Sequence, residues 1–453
     1  MRVHFIAIGG SAMHNLAIAL HNKGYNISGS DDEIFEPSKS RLQKLGLLPA
    51  TEGWDETRIT NELDAVILGM HAKSDNPELL KATELGIKIF SYPEYLYEQA
   101  KDKKRVVIGG SHGKTTITAM VLHVLRKAGV DCDYMVGAQL DGFDVMVRLS
   151  DKAGIMIFEG DEYLTSPIDK RPKFHLYKPD IALISGVAWD HINVFPTFEN
   201  YVEQFAEFIR LISPGGTLIY CADDETLRKI CPGSRNDIKL IPYSVPEYFI
   251  SDGLTSLIDC GNIFPLKVFG RHNLMNLNGA RWICNELGIS DKMFIFSIQS
   301  FKGASKRLEY IAGNSSVKVY KDFAHAPSKV SATVHAVKEQ YPSKKIVACL
   351  ELHTYSSLSQ EFLSHYLHNL DEADVAMVYY NPHAIRLKRL PPITKEQVIE
   401  GFGNPSLEVF TDSAELNSRL LSIDWNNSVL LLMSSGNYDG IDLARLAGQV
   451  VGE

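Results

Sequence analysis

Short apolar runs that end in glycine alternate along the chain with stretches of helical period. VHFIAI, followed by Gly-Gly, predicts a strand, and 11–23 then reads as a helix. YNISGS, ELDAVILGM and IKIFSY predict further strands, with a helix over 77–85, and the charged segment EQAKDKKR closes this block near residue 104. A second block opens with RVVIGG. Its first helix carries Ile117, Met120, Val121, Val124, Leu125 and Ala128 on one face, and Gly129 stands where a helix end favours positive φ. The strands GIMIFEG and DIALISG, the helix YVEQFAEFIRLI and the strand TLIYCA follow. Residues 233–270 read as short strands and loops, and RHNLMNLNGARWICNELG reads as a helix. After FKGASKR a third block sets VKVYKDF, a helix near 328–340, KIVACLEL, a helix near 358–369, DVAMVYY, VLLLMSSG and a last helix in turn.

Strands separated by helices of this length imply parallel sheets with right-handed crossovers. With 453 residues, the chain is expected to form three α/β domains, 1–104, 105–303 and 304–453. Hydrophobic residues at 45% leave ample material for their cores. A formal charge of −9 argues against nucleic-acid binding, because no basic excess exists to displace counterions from a phosphate backbone. Six scattered cysteines without a CxxC fit reduced thiols. The opening shows no signal-peptide pattern, and no apolar run reaches the ~18 residues of a membrane span. A cytoplasmic location without membrane contact is expected.

Two glycine turns carry the candidate chemistry. In VVIGGSHGKTTITAM a strand runs through Gly110, Ser111, His112 and Gly113 into Lys114, Thr115 and Thr116, which open a helix. Backbone N–H groups of such a turn wrap phosphate oxygens and the helix N-terminus adds its dipole. The lysine reaches the β/γ-phosphates and Thr115 offers a hydroxyl to Mg²⁺. Ile108 replaces the first glycine of the usual phosphate-loop spacing. The earlier turn, Gly9, Gly10, Ser11, Ala12 and Met13, lacks the third glycine of a dinucleotide fingerprint. Asp31 follows at the end of the second strand, placed to meet a ribose hydroxyl or to cap the turn. Two further strand ends, FEGDEY and VAWDH, bring Glu159 and His191 toward the place where a parallel sheet binds ligands, and both are expected to hold metal.

Together these strings resemble the Mur ligases, which form peptide bonds on bacterial cell-wall precursors. GGSHGKTTITAM is similar to their ATP loop, FEGDEY to their magnesium site, AWDH to their histidine site and GRHNLMNLNGA to the stretch that contacts adenine. SKRLE and KDFAHAP resemble segments of the third domain. The resemblance implies a Rossmann-like N-terminal domain for a UDP-sugar, a central P-loop ATPase domain and a Rossmann-like C-terminal domain for the amino donor. By it, the first glycine turn and Asp31 face the UDP pyrophosphate, with His71 and Ser74 of GMHAKSDNPE as additional contacts. Asn273 and Asn276 read adenine and Asp322 meets its ribose. Thr115, Glu159 and His191 hold two Mg²⁺, with ATP as co-substrate. Lys114, His191, Arg307 and His325 serve the reaction, His325 where the amine arrives. The expected assembly is a monomer or a weak homodimer.

The resemblance also bears on the branch. Several Mur ligases carry a carbamylated lysine about fourteen residues after the DH motif; here no lysine lies between His191 and Arg210, and Phe205 is near that place. That implies action directly on UDP-N-acetylmuramate. The branch that adds L-alanine carries PHRYSR, whereas this chain has LELHTYSS, with Thr354 and Ser357 in place of the arginines. EGDEYLTSPIDKRPKFHLYKP, DFAH and SSGNYDG are similar to the branch that joins UDP-N-acetylmuramate to L-alanyl-γ-D-glutamyl-meso-diaminopimelate. Read alone, Lys170, Arg171 and Lys173 are a solvated loop. His353 and Tyr355 match the alanine branch, and Ala326 replaces a histidine usual in both. The expected product is the amide made with the tripeptide through an acyl phosphate. L-alanine addition and a non-catalytic nucleotide and UDP-sugar sensor are the alternatives.

Overall fold

A computed structural model describes residues 1–140, 143, 145–189, 194–304 and 307–452. By compactness they divide into two units. One is Met1–Ser244 with Asn276–Ile298, the other Val245–Met275 with Gln299–Glu453. Three α/β sheets carry the fold, as the alternating pattern predicts.

The first unit holds two sheets. Strands β1 (Arg2–Ile6), β2 (Asn26–Ser30), β3 (Ala65–Leu68) and β4 (Ile89–Ser91) are ordered β2-β1-β3-β4, all parallel. The seven-stranded sheet comprises β5 (Lys104–Gly109), β6 (Asp133–Met135), β7 (Val147–Arg148), β8 (Ile155–Glu159), β9 (Ile181–Ile184), β10 (Thr217–Cys221) and β11 (Lys239–Tyr243). Its order is β11-β10-β9-β5-β8-β6-β7, parallel except at the β7 edge. AVIL of β3 and IALI of β9 are buried throughout, the continuous apolar run of a strand covered on both faces. In each sheet the order reverses beside the first strand, β1 or β5. The crevice that such a reversal opens lies at the carboxyl end, where both glycine turns begin.

The second unit joins a small antiparallel sheet to the third α/β sheet. Strands β12 (Tyr248–Ser251), β13 (Leu254–Asp259) and β14 (Asn262–Pro265) form a meander. It is pinned to the helix Pro327–Gln340 by Thr255 Oγ1, which donates to Gln340 Oε1 at 2.6 Å, and by Tyr248, whose hydroxyl donates to Glu339 at 2.7 Å. The large sheet is ordered β15-β16-β20-β17-β18-β19, from β15 (Glu309–Gly313), β16 (Val317–Asp322), β17 (Lys345–Leu352), β18 (Val375–Tyr380), β19 (Glu408–Phe410) and β20 (Ser428–Met433). Only β15 runs antiparallel. The helix expected near 358–369 is broken into Gln360–Leu363 and the 3₁₀ turn Ser364–Tyr366. Tyr366 there stacks on Phe402 at 5.0 Å and donates its hydroxyl to the His325 carbonyl, so tertiary contacts overrule the helical period. Among the described residues no helix is long and apolar enough to cross a membrane.

A buried polar knot locks the first sheet. Glu78, fully buried, accepts from the Asp55 N–H at 2.8 Å and from Ser30 Oγ, and lies 3.2 Å from His4 Nε2. Burial works to raise its carboxyl, but the hydrogen bonds from His4, Asp55 and Ser30 hold it below the ordinary value. Removing one partner of such a pair leaves buried polar groups uncompensated. We expect Glu78→Ala to cost about 3–5 kcal/mol in urea unfolding. In the parent chain this contribution is complete above the ordinary carboxylate value and is lost as pH falls through the lowered folded-state value. Acid titration of the folded state checks that sign.

Candidate functional site

At the end of β5 the chain turns through Gly110 at φ +119°, where a Cβ would stand 2.3 Å from Ser185 Oγ and 2.7 Å from its nitrogen. Only glycine fits so close an approach. Ser111 is buried; its N–H donates to the Gly186 carbonyl at 3.0 Å, and its hydroxyl accepts from the Ala188 N–H at 2.9 Å. His112 Nδ1 is 2.7 Å from the Ser111 carbonyl. Gly113, at φ +82°, caps the helix Lys114–Lys127, which has no side-chain cap and no acid in its first turn. The positive end of that helix therefore faces the turn unneutralised by its own residues.

Three acids at the end of β8 answer this turn. Thr115 Oγ1 donates to Glu159 Oε1 at 2.7 Å, while Glu159 Oε2 accepts from the Gly137 N–H at 2.8 Å. Lys114 Nζ donates to Glu162 Oε2 at 2.6 Å, and the Tyr201 hydroxyl donates to the other oxygen at 3.2 Å. Asp161 pairs with Lys173 Nζ at 2.6 Å. Burial opposes the charge on Lys114, but Glu162, Asp161 and Glu159 outweigh it and hold the ammonium above its ordinary value. Hydroxyl and carboxylate oxygens are hard donors, so Thr115 and Glu159 fit Mg²⁺. His191, the other expected ligand, lies outside the described residues. Thr116 is buried behind the turn.

The first glycine turn is organised differently. Gly9 N–H donates to Asp31 Oδ2 at 2.7 Å, and Asp31 Oδ1 stands 2.8 Å from His71 Nε2. Burial works to raise the Asp31 carboxyl, yet its bonds to His71 and Gly9 keep it below the usual range; His71 is raised in return, chiefly by Asp31. Both oxygens are thus engaged, and Asp31 ties the turn to the strand ends. Gly10 precedes the helix Ser11–Asn22, again without a side-chain cap or an acidic first turn. Ser11 and Ala12 are exposed and Met13 is buried.

The two turns meet within the first unit. Ser11, Ala12, Lys114, Glu159, Asp161 and Lys173 line one cavity of about 330 Å³, whose other wall includes Met135, Val136, Met146 and Val147. Ser74 does not join them; it lines a separate cavity of about 360 Å³ with Ser91, Glu94 and Ser166. Asn276 stands against the phosphate turn, its Oδ1 lying 2.2 Å from where a Cβ on Gly113 would be. Asp161, Glu162 and Lys173 were not foreseen. The acids were visible in FEGDEY, but only pairing across twelve residues separates Lys173 from the solvated run to which it was assigned.

In the second unit Asp322, Ser434 and Glu351 adjoin at the carboxyl ends of β16, β20 and β17. Asp322 accepts from the N–H groups of Leu308 and Ala324, each at 2.6 Å, and burial pushes its carboxyl up. Arg307 lies over the Phe323 ring at 4.7 Å, and His325 Nδ1 is 2.8 Å from the Phe323 carbonyl. Asn273 donates to the Phe269 carbonyl at 2.9 Å. LELHTYSS and SSGNYDG, distant in sequence, adjoin. Glu351 accepts from the Tyr438 N–H at 2.8 Å and from Ser434 Oγ, and lies 3.6 Å from His353 Nδ1. The hydroxyl of Thr354 donates to that of Ser357 at 2.9 Å.

A phosphate turn with a lysine, a threonine–carboxylate pair and a second glycine turn on the same cavity suit a nucleotide-dependent enzyme that brings two phosphorylated ligands together. The chain matches the Mur ligase family catalytic domain over 2–104, the Mur ligase middle domain over 108–284 and the Mur ligase glutamate ligase domain over 306–436. A UDP-N-acetylmuramate–L-alanine ligase of Clostridium kluyveri is 32% identical, covering 83% of each chain. Its counterpart from Ruthia magnifica is 28% identical over 96% of this chain and 94% of its own. Two solved structures share the fold. A murein peptide ligase of Psychrobacter arcticus is 23% identical, with TM-score 0.63 and coverage of 100% and 99%. The UDP-N-acetylmuramate–alanine ligase of Thermotoga maritima is 20% identical, with TM-score 0.70 and coverage of 99% and 98%. The chain belongs to the Mur ligase family, and that membership sets aside the reading as a non-catalytic sensor.

Alanine at 113 would have to adopt a left-handed conformation that costs about 1–2 kcal/mol, and would displace Asn276. We expect Gly113→Ala to weaken ATP roughly tenfold, the equivalent of about 1.4 kcal/mol. Equilibrium binding of ATP measures it.

Proposed function

We propose that this ligase joins the lactyl carboxylate of UDP-N-acetylmuramate to the amino group of L-alanyl-γ-D-glutamyl-meso-diaminopimelate. The observation that carries the donor is the Thr354–Ser357 hydroxyl pair. Free L-alanine presents a carboxylate, which a bidentate guanidinium would hold there. In the tripeptide that carboxyl is already an amide, and neutral hydroxyls suit its carbonyl. Phe205 supports the choice of first substrate. It is fully buried, edge-on to Phe174 at 5.5 Å, so aromatic core fills the neighbourhood in which other branches are described with lysine.

In this reading residues 1–104 hold the UDP-sugar, 105–303 ATP, and 304–453 the amino donor. A carboxylate resists amine attack, since its charge repels the nucleophile and oxide is a poor leaving group. Lys114 neutralises the β/γ-phosphates while the lactyl oxygen attacks the γ-phosphorus and ADP departs. The resulting acyl phosphate takes the amine, and the tetrahedral adduct expels phosphate as the amide forms. Mg²⁺, held by Thr115 and Glu159 and expected also at His191, supplies further charge neutralisation when bound. Asn273 and Asn276 are assigned to the adenine side, and Arg307 and His325 to the closing segment and the amine. Asp322, which ties the 308 and 324 backbone, is assigned to the ribose, and the turn Gly9, Gly10, Ser11, Ala12 and Met13 to the pyrophosphate. Six free cysteines, five of them buried, fit a reducing compartment, and we place the reaction in the cytoplasm.

His353 and Tyr355, together with the names of the Clostridium and Ruthia relatives, favour a second reading as an L-alanine ligase. Phosphate release with ATP, UDP-N-acetylmuramate and either donor separates the two. We expect kcat/KM for the tripeptide to exceed that for L-alanine by about 100-fold or more. A preference for L-alanine would establish the other donor.

A further inference from the structure

The cavity between the two glycine turns holds a cation that the reaction above leaves unused. Lys173 lines it together with Lys114. Its ammonium pairs with Asp161 at 2.6 Å and stands 5.7 Å from the centre of the Tyr163 ring. The two lysine pairs are unlike. Glu162, partner of Lys114, has a side chain only 1% exposed, whereas that of Asp161 is 40% exposed. Asp161 also accepts from the Tyr163 N–H at 3.1 Å, so it keeps a partner and access to water if the lysine turns away. The Lys173–Asp161 pair is therefore the more readily exchanged of the two, since a fully buried acid loses more with its cation than a half-buried one.

Charge balance shows what the exchange would serve. Glu159, Asp161 and Glu162 already set three carboxylates around two lysines. A substrate carboxylate entering beside a triphosphate adds like charge in a partly desolvated space, and Lys114 is committed to phosphate. The fully buried Tyr177 completes the same wall. A wall offering an exchangeable ammonium suits an anionic oxygen.

Resting on the reading of this cavity as the muramyl site, we propose that Lys173 is a substrate-contacting residue. Its ammonium leaves Asp161 for the lactyl carboxylate and holds that group for phosphoryl transfer. The probe pair is UDP-N-acetylmuramate and UDP-N-acetylglucosamine, the same nucleotide sugar without the lactyl ether, each titrated calorimetrically into the full chain without ATP. Lys173→Met should weaken UDP-N-acetylmuramate about 10- to 100-fold, the range of a charge-assisted hydrogen bond, and change UDP-N-acetylglucosamine by no more than about twofold. The double variant Asp161→Asn/Lys173→Met removes both charges, guards against an unpaired acid and should lose the same discrimination. Equal weakening of both ligands, or of neither, overturns the assignment and leaves the muramyl reading standing. A parent chain that binds neither ligand overturns both.

Discussion

In the proposed reaction two anions have to share one small cavity, and their mutual repulsion governs what its walls must supply. At 4 Å, like unit charges repel by about 4 kcal/mol where the effective dielectric constant is near 20, and more as water leaves. Amide formation from a carboxylate and ATP cannot begin until that repulsion is met. The cavity is bounded accordingly by two lysines, two helix N-termini without acids in their first turns, and Glu159, which with Thr115 makes a pair suited to a divalent cation.

Sheet topology explains why these groups converge. Strand order reverses beside β1 in one sheet and beside β5 in the other, and each reversal opens a crevice at the carboxyl end of the strand. Because both sheets belong to one compact unit, the two crevices share an enclosure. Hydrogen bonding then fixes the loops. Asp31 holds Gly9 on one side, while Ser111 is held by the Gly186 carbonyl and the Ala188 N–H on the other. Glu162, Asp161 and Glu159 keep Lys114 charged despite its burial, and Asp161 orients Lys173.

Features that depend on local sequence were legible. The alternation of strand and helix gave three α/β sheets, and the GKTT turn could be recognised because strand, glycines, lysine and helix follow one another directly. Features set by tertiary pairing were not. Asp31 reads in sequence either as a ribose contact or as a cap on the turn; the bond from Gly9 fits the cap, while the partner His71, forty residues on, shows only in the fold. Lys173 reads as one more charge in a basic run until Asp161 is seen beside it. The period of 358–369 is helical, but packing of Tyr366 on Phe402 breaks it. Nothing in the spacing of LELHTYSS and SSGNYDG shows that β17 and β20 are neighbours, which is what brings Glu351 to Ser434 and Tyr438.

A crystal of the protein with UDP-N-acetylmuramate and a non-hydrolysable ATP analogue gives the most direct measurement, the distance from the lactyl carboxylate to the γ-phosphorus. A shared cavity requires the γ-phosphate at Lys114 and Thr115 with the carboxylate about 3–3.5 Å from phosphorus, the range of a near-attack geometry. Ligands bound in separate pockets, or a sugar nucleotide seated away from Ser11 and Ala12, would contradict it.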